Sequence, residues 1–249
     1  MTTNKIKIGI IGGSGLDDPK ILVKPKELEV KTPYGKPSSK LVIGEIAGKQ
    51  VVILARHGQK HNIPPHLVPY RANIWALKSV GCTHILATTA CGSLKDDMKP
   101  GDLVFVDQFI DFTKQRKSTF FEDKVVHTSM AQPFNLKLRQ LLAKVSKKLN
   151  LNYHVKGTMI TIEGPRFSTK AESSMFRSWG AELINMSTAT EVILANELNI
   201  PYQAIAMVTD YDCWKENEES VSFDLILGRM KENSEKVKML LLRTIEVLN

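Results

Sequence analysis

Hydrophobic and polar positions along this chain switch repeatedly between a period of two and a period near 3.6. Lys5 to Ile11 is β-branched and apolar and runs into Gly12-Gly13-Ser14-Gly15, which predicts a strand ending in a glycine-rich turn. Leu41 to Ile46 and Gln50 to Ala55 alternate on either side of Ala47-Gly48-Lys49 and predict a hairpin. Tyr70, Ile74 and Leu77 recur at helical spacing up to Gly81, and His84 to Ala90 returns as a strand. A further strand is expected at Asp102 to Val106, followed by a long irregular stretch from Asp107 to Gln132. Phe134 to Leu149 places its apolar residues on one helical face. Gly157 to Ile162 is a strand, Ser168-Thr169 opens a helix reaching Gly180, Glu182 to Met186 is the next strand, and a helix lies near Glu191 to Leu198. The apolar run from Gln203 ends at Thr209-Asp210-Tyr211-Asp212, and Val221 to Leu248 closes the chain as a long helix. With no internal repeat or linker, residues 1–249 read as a single domain, and the alternation of strands with helices implies an α/β architecture three layers deep.

Composition changes this picture little. The 249 residues are 43% hydrophobic and 24% charged, and the formal net charge is +8. Such an excess suits nucleic acid or an anionic small molecule. The lysines are dispersed, however, and groups such as Lys144, Lys147 and Lys148 fit the solvated face of an amphipathic helix, so nucleic acid is not the expected partner. No apolar run approaches the roughly 18 residues needed to span a bilayer, and the N-terminus lacks the pattern of a signal peptide. The expectation is a cytoplasmic protein without membrane contact. Cys82, Cys91 and Cys213 form neither a CxxC pair nor an even disulfide framework, which fits small core residues in a reducing compartment.

The candidate chemistry sits where strands end. Alternation places Asp210 and Asp212 on one side of a strand, roughly 7 Å apart. Burial and like charge would keep one of them protonated. A neutral acid beside an ionised one offers a donor beside an acceptor, the complement of the N7 and 6-amino edge of adenine. The same spacing also suits a loop whose acids cap a helix or pair with Lys215. The glycines around Ser14 can form an anion nest, although neither the P-loop nor the dinucleotide fingerprint is completed and the turn can equally be only a turn. Arg56 and His57 end the hairpin and suit phosphate. His57 and His61 have the spacing of a zinc helix, but Gly58 interrupts it, no glutamate follows the first histidine and Pro64-Pro65 comes soon after, so no metal is expected. Thr88 to Ser93 supplies small residues and hydroxyls. Phe167, in Glu163-Gly164-Pro165-Arg166-Phe167, can lie against a flat base or serve as ordinary core. Ligands of open α/β sheets collect beyond the carboxyl ends of strands, so Ser14, Arg56 and Thr89 are expected to converge on one phosphate.

Taken in order, GGSG, ARHG with a following histidine, TTACGS, EGPRFST, INMST and TDYDCW resemble the trimeric purine nucleoside phosphorylases, and among them the methylthioadenosine phosphorylases. The likeness runs from about Lys5 to Leu241. It implies a single α/β domain with a mixed, partly barrel-like sheet surrounded by helices, a homotrimer, and phosphorolysis of methylthioadenosine without cofactor or metal, inorganic phosphate being a co-substrate. It further implies phosphate contacts from Ser14, Arg56, His57, Thr89, Ala90 and Ser187. Met186 would lie under the ribose, Phe167 against adenine, Asp210 and Asp212 at the N7 and 6-amino edge, and Phe223, Leu227 and a neighbouring subunit's His127 around the methylthio group.

Three positions depart from the pattern. Ser187 and Thr190 stand where many relatives carry threonine and proline, and Phe223 is bulkier than the usual aliphatic residue. A 6-oxopurine phosphorylase acting on inosine, guanosine or methylthioinosine is the alternative. Its O6 would be repelled by an ionised Asp212, and such enzymes usually carry asparagine in place of Asp210.

Overall fold

The computed structural model describes residues 6–12, 21–216 and 222–249, apart from the side chains of Phe223, Leu225 and Glu232. Its elements, in chain order, are β1 (Lys7–Gly12), β2 (Val23–Leu28), β3 (Leu41–Ile46), β4 (Lys49–Ala55), α1 (Tyr70–Ser79), β5 (His84–Ser93), β6 (Leu103–Phe105) and β7 (Gln108–Phe112). They continue with α2 (Leu136–Lys148), β8 (Tyr153–His154), β9 (Thr158–Ile162), α3 (Lys170–Ser178), β10 (Leu183–Asn185), α4 (Thr188–Glu197), β11 (Tyr202–Asp210) and α5 (Phe223–Val247).

All the strands join one mixed sheet with main order β2-β3-β4-β1-β5-β10-β9-β7. β5 also pairs β11, which continues to β6 and β8, so the sheet forks at β5. The pairs β1–β4, β1–β5 and β5–β11 are parallel, which brings the carboxyl ends of β1, β4, β5 and β11 to the same edge.

Period-two alternation explains the layers. On β1 and β4, Ile8, Ile10, Val51 and Ile53 face one core, whereas Ile11, Val52 and Leu54 face the other. β11 divides likewise, with Ile205 and Met207 on the first side and Ala204, Ala206 and Val208 on the second. Helix α2 covers the first side with Leu138, Leu142 and Val145, and α5 with Val237, Leu240 and Leu241. Helices α1 and α4 cover the second with Ile74, Leu77, Val192 and Leu194. Each such buried side chain contributes about 1.5–3 kcal/mol. A smaller cluster seats Phe176 of α3 against Ile160, Ile162 and Ile184.

Local chemistry sets the ends of the elements. Asn135 caps α2 by accepting from Leu138 N–H at 3.0 Å. Thr169 and Glu172 form a reciprocal capping box on α3. The β3–β4 turn is two residues rather than three, because Ile46 pairs Lys49; Ala47 and Gly48 adopt φ of 49° and 75°, as a tight hairpin turn requires.

Three strands were not expected. β2, VKPKEL, is exposed throughout and carries lysines and a proline, as befits a protected sheet edge, so it has no apolar face to betray it. β7, QFIDF, lies inside the stretch expected to be irregular and pairs only β9, at the other end of the sheet. β8 is two residues long.

Candidate active site

The carboxyl ends of β4, β5, β10 and β11 surround a cleft of about 400 Å³, within the range of small-molecule sites. Arg56, His57, Thr89 and Ala90 line one part of it, Met186 and Ser187 another, and Asp210, Asp212 and Phe167 a third. The structure thus gathers nine of the expected site residues at one place. Ser14 lies outside the described residues, as does the side chain of Phe223.

At one end of the cleft, Asp210 is the last residue of β11, just past an irregularity between Val208 and Asp210 in the pairing with β5. The expected alternation does not hold here. The strand stops at Asp210, and Asp212 sits in the following turn with φ of 52°. That turn folds the backbone back, so Asp212 N–H donates to Asp210 Oδ1 at 2.7 Å while the Thr209 hydroxyl donates to Oδ2 at 2.7 Å. Burial raises the Asp210 carboxyl above its ordinary range and the charge of Asp212 adds to this, while the two hydrogen bonds pull the other way. Gly92 makes room for the carboxylate: a Cβ there would lie 2.9 Å from Asp210 Oδ1 and 3.0 Å from Ile184 Cγ2.

The turn is braced from outside. Trp214 Nε1–H donates to Ser93 O at 2.8 Å, and the Arg177 guanidinium stacks 3.5 Å from the Trp214 ring centroid. Lys215 pairs with Asp96 at 3.2 Å and caps the Tyr211 ring, so its ion pair is with Asp96 and not with the two cleft acids.

At the other end, Arg56 is 1% exposed. Its Nε and Nη2 donate to Glu191 at 2.5 and 3.0 Å, and Nη1 donates to Thr88 O at 2.8 Å. Tyr202 O–H donates to the same carboxylate at 2.7 Å. Burial works against the Arg56 charge, but Glu191 more than offsets it, so the guanidinium is held protonated. His57 goes the other way. Burial and then the neighbouring Arg56 push the imidazole down to about 4, so it is neutral near pH 7. Its Nδ1 lies 2.8 Å from Ile63 O, a carbonyl that only accepts, which places the ring proton on Nδ1 and leaves Nε2 as an acceptor. Ser187 is the N-cap of α4 with no side-chain capping bond, which leaves its hydroxyl to an anion, whereas the Thr188 and Ala189 N–H groups of the first turn donate to Asn185 Oδ1 and Thr161 Oγ1. His57 and His61 stack with centroids 4.7 Å apart. Among the described residues no group of three or more His, Cys, Asp or Glu side chains could hold a metal, and no helix is long and apolar enough to cross a membrane.

Phe167 lies at the mouth, 37% exposed, and so is not core. On the late helix Leu227 is 38% exposed and outside the lining of this subunit's cleft, whereas Ile226 and Met230 line it. Positions 226 and 230 lie about 40° apart around the helix, and 227 lies about 80° from the midline between them. His127 is exposed on the segment after β7 and does not line this subunit's cleft. Asn185, which lines the cleft, and Glu191 and Tyr202, whose carboxylate and hydroxyl surround Arg56, are residues that sequence reasoning did not single out. Asn185 stood within the INMST motif; nothing in the pattern connected Glu191 to an arginine 135 positions away.

Residues 7–246 match the family model described as the Phosphorylase superfamily. The chain is 58% identical to an S-methyl-5'-thioadenosine phosphorylase of Xenopus tropicalis, covering 96% of this chain and 88% of the relative. It is 54% identical to one of Thermofilum pendens, covering 95% and 90%. Among solved structures, methylthioadenosine phosphorylase of Schistosoma mansoni in complex with adenine superposes with a TM-score of 0.93 at 43% identity, covering 97% and 91%. A mutant of the adenosine/methylthioadenosine phosphorylase from the same organism, in complex with methylthioadenosine, superposes at 0.92 with 42% identity over the same shares.

Proposed function

The chain belongs to the phosphorylase superfamily, and from that premise we propose that it cleaves S-methyl-5'-thioadenosine with phosphate to adenine and 5-methylthioribose 1-phosphate, as a pentosyltransferase of purine and methionine salvage. The observation that carries this reading is the opposition, across one cleft, of a buried acid with a raised pKa at Asp210 and an anion end built from Arg56, Thr89 and Ser187. Curated relatives 50–58% identical over nearly the whole chain carry this activity in their names.

The chemistry follows from the two ends. As the C1'–N9 bond breaks, its electron pair moves into the purine, and protonated Asp210 delivers its proton to N7. Asp212 accepts from the 6-amino group. A phosphate oxygen forms the new bond to C1' from the opposite face, with inversion, through an oxocarbenium-like transition state. Thr89, Ser187, the Ala90 N–H and Ser14 donate to the phosphate, and Arg56 supplies charge. His57, whose Nε2 is an acceptor, accepts a hydrogen bond from a phosphate hydroxyl rather than donating one. Most of the rate then comes from positioning and preorganised dipoles. No metal or organic cofactor enters this scheme. Phe167 stacks on the base and Met186 underlies the ribose. Ile226 and Met230, with Phe223, enclose the methylthio group. A homotrimer lets His127 of one subunit complete its neighbour's cleft, and the exposed Val125 and Val126 beside it suit burial in such an interface.

The test is adenine release from methylthioadenosine, adenosine and inosine, each with and without phosphate. Phosphate-dependent release favouring methylthioadenosine is expected; cleavage of inosine to hypoxanthine in its place would overturn the assignment of the acids to a 6-aminopurine.

A further inference from the structure

We propose that Asn185 is a positioning residue whose amide forces the Thr89 hydroxyl to act as a donor to phosphate. The proposal rests on the phosphorolysis reading above.

The direction of the Asn185 amide is fixed by backbone groups that can only give. The backbone N–H groups of Ser187 and Thr188 point at Oδ1 from 3.4 and 3.5 Å. With Oδ1 turned to these N–H groups, the Thr161 hydroxyl at 2.9 Å donates to it while accepting the Ala189 N–H at 3.0 Å. A flipped amide would set N–H against N–H, and the carbonyl oxygen therefore faces these groups. The two amide hydrogens must then face Thr89 Oγ1 at 3.1 Å and Thr188 Oγ1 at 2.5 Å.

A hydroxyl has one proton. Because Thr89 Oγ1 receives a hydrogen from Asn185, its own proton is directed elsewhere, and it now donates to Ala90 O at 3.1 Å. Thr89 and Ala90 both line the cleft at the anion end. A phosphate oxygen there is a charged acceptor and outcompetes a neutral carbonyl. Without the amide hydrogens, the Thr89 hydroxyl could turn inward and accept or donate freely, and the anion would meet an unoriented group. Asn185, 6% exposed, thus sets the polarity of the phosphate cradle without supplying charge.

The proposal separates Asn185 as a donor from Asn185 as a structural peg, and N185D does so chemically. The introduced carboxyl keeps an acceptor toward Thr161 and the backbone but loses both amide hydrogens, so Thr89 O–H turns toward it. Its negative charge also repels phosphate, and that effect is the same whatever stands at position 89. Phosphate KM and nucleoside KM are measured for the wild type, T89A, N185D and T89A/N185D at saturating co-substrate. T89A is expected to raise phosphate KM roughly 10- to 100-fold, as loss of a hydrogen bond to a charged group does. N185D should raise phosphate KM by about that same factor more in the Thr89 background than in T89A, with nucleoside KM little changed. An equal fold-effect of N185D in both backgrounds, or no change in phosphate KM, overturns the proposal. Should N185D fail to fold, as judged by its melting curve, N185S enters the same cycle under the same criteria. Wild-type turnover that does not depend on phosphate would overturn the functional reading itself, a result separable from failure of the cycle.

Discussion

Glutamine at position 191 tests the buried charge on which the anion end depends. Arg56 and Glu191 are each 1% exposed, and the carboxylate accepts two guanidinium bonds and the Tyr202 hydroxyl. E191Q keeps the shape but supplies one acceptor and one NH2 group. One donor on Arg56 or Tyr202 then faces another donor, and the buried guanidinium loses its counter-ion. Removing one partner of a buried pair costs about 3–5 kcal/mol. For a chain of this size each kcal/mol moves the melting midpoint by about 2–4 °C, so a fall of about 6–20 °C is expected in phosphate-free buffer. Phosphate adds a second term. In the wild type it stabilises by about 2.7 kcal/mol at 100 times its Kd. In E191Q the anion is also the replacement counter-ion for Arg56, so the gap between the two melting curves should narrow as phosphate is added. Thermal denaturation followed by circular dichroism over a phosphate titration reads both effects, and Y202F, which removes one neutral donor from the carboxylate, serves as a control costing about 1–2 kcal/mol. Midpoints within about 2 °C of each other without phosphate would refute the energetic argument, being smaller than the shift expected from a broken buried pair; a gap indifferent to phosphate would refute the placement of Arg56 beside the anion.

Three further perturbations probe the rest of the cleft. D210N removes the proton donor to the base, and adenine release from methylthioadenosine should slow by about 10²- to 10⁴-fold in single-turnover assays, with inosine cleavage gaining relative to it. G92A drives a methyl to 2.9 Å from Asp210 Oδ1 and 3.0 Å from Ile184, so kcat should fall while phosphate KM stays near the wild-type value; overpacking should cost about 1–3 kcal/mol in urea unfolding. His57 titrates near 4 in the fold against 6.5 for the free group, so below pH 6.5 the unfolded chain takes up a proton that the fold refuses. Its contribution is therefore complete above pH 6.5 and is lost as pH falls toward 4, by at most about 3 kcal/mol, and H57Q should show a flatter dependence of urea-unfolding stability across that window.

The parts of this molecule legible in its sequence are those where one physical rule acts alone. β1, β5 and β11 announce themselves because burial on both faces demands apolar runs, β4 because it alternates with β3 across a short turn, and α2 because its stripe recurs every three or four residues. β2 and β7 escaped because edge strands are selected to hide their pairing capacity. At the site, Asp210, Arg56 and Thr89 could be named because each stands where a strand runs into small or polar residues, and Ser187 through the family resemblance of the INMST motif. The two aspartates were rightly joined for a reason that proved wrong: they share the cleft because the chain turns at Asp212 and hydrogen-bonds back to Asp210, not because a strand alternates. That Ile226 and Met230 line the cleft of the single chain was not legible, because the phase of a helix against a cleft depends on tertiary docking, which a 3.6-residue period leaves undetermined.

What lies deepest in the site is also what no local rule reaches. Glu191 offsets the charge of Arg56, and Asn185 aims the Thr89 hydroxyl, so among the described residues the anion end holds a neutralised ion pair and a set of oriented neutral donors. That arrangement suits a nucleophile. An unpaired buried guanidinium would bind phosphate tightly in the ground state and hold back the oxygen that must attack C1', whereas dipoles fixed by the fold position the anion without that penalty. The opposite end follows the same logic with a proton in place of a charge. Burial raises the Asp210 carboxyl above its ordinary range, which favours its holding the proton that the departing purine draws to N7. The anion end therefore acts through an offset charge and fixed dipoles, and Asp210 through a proton whose transfer to N7 becomes favourable as charge develops during bond cleavage.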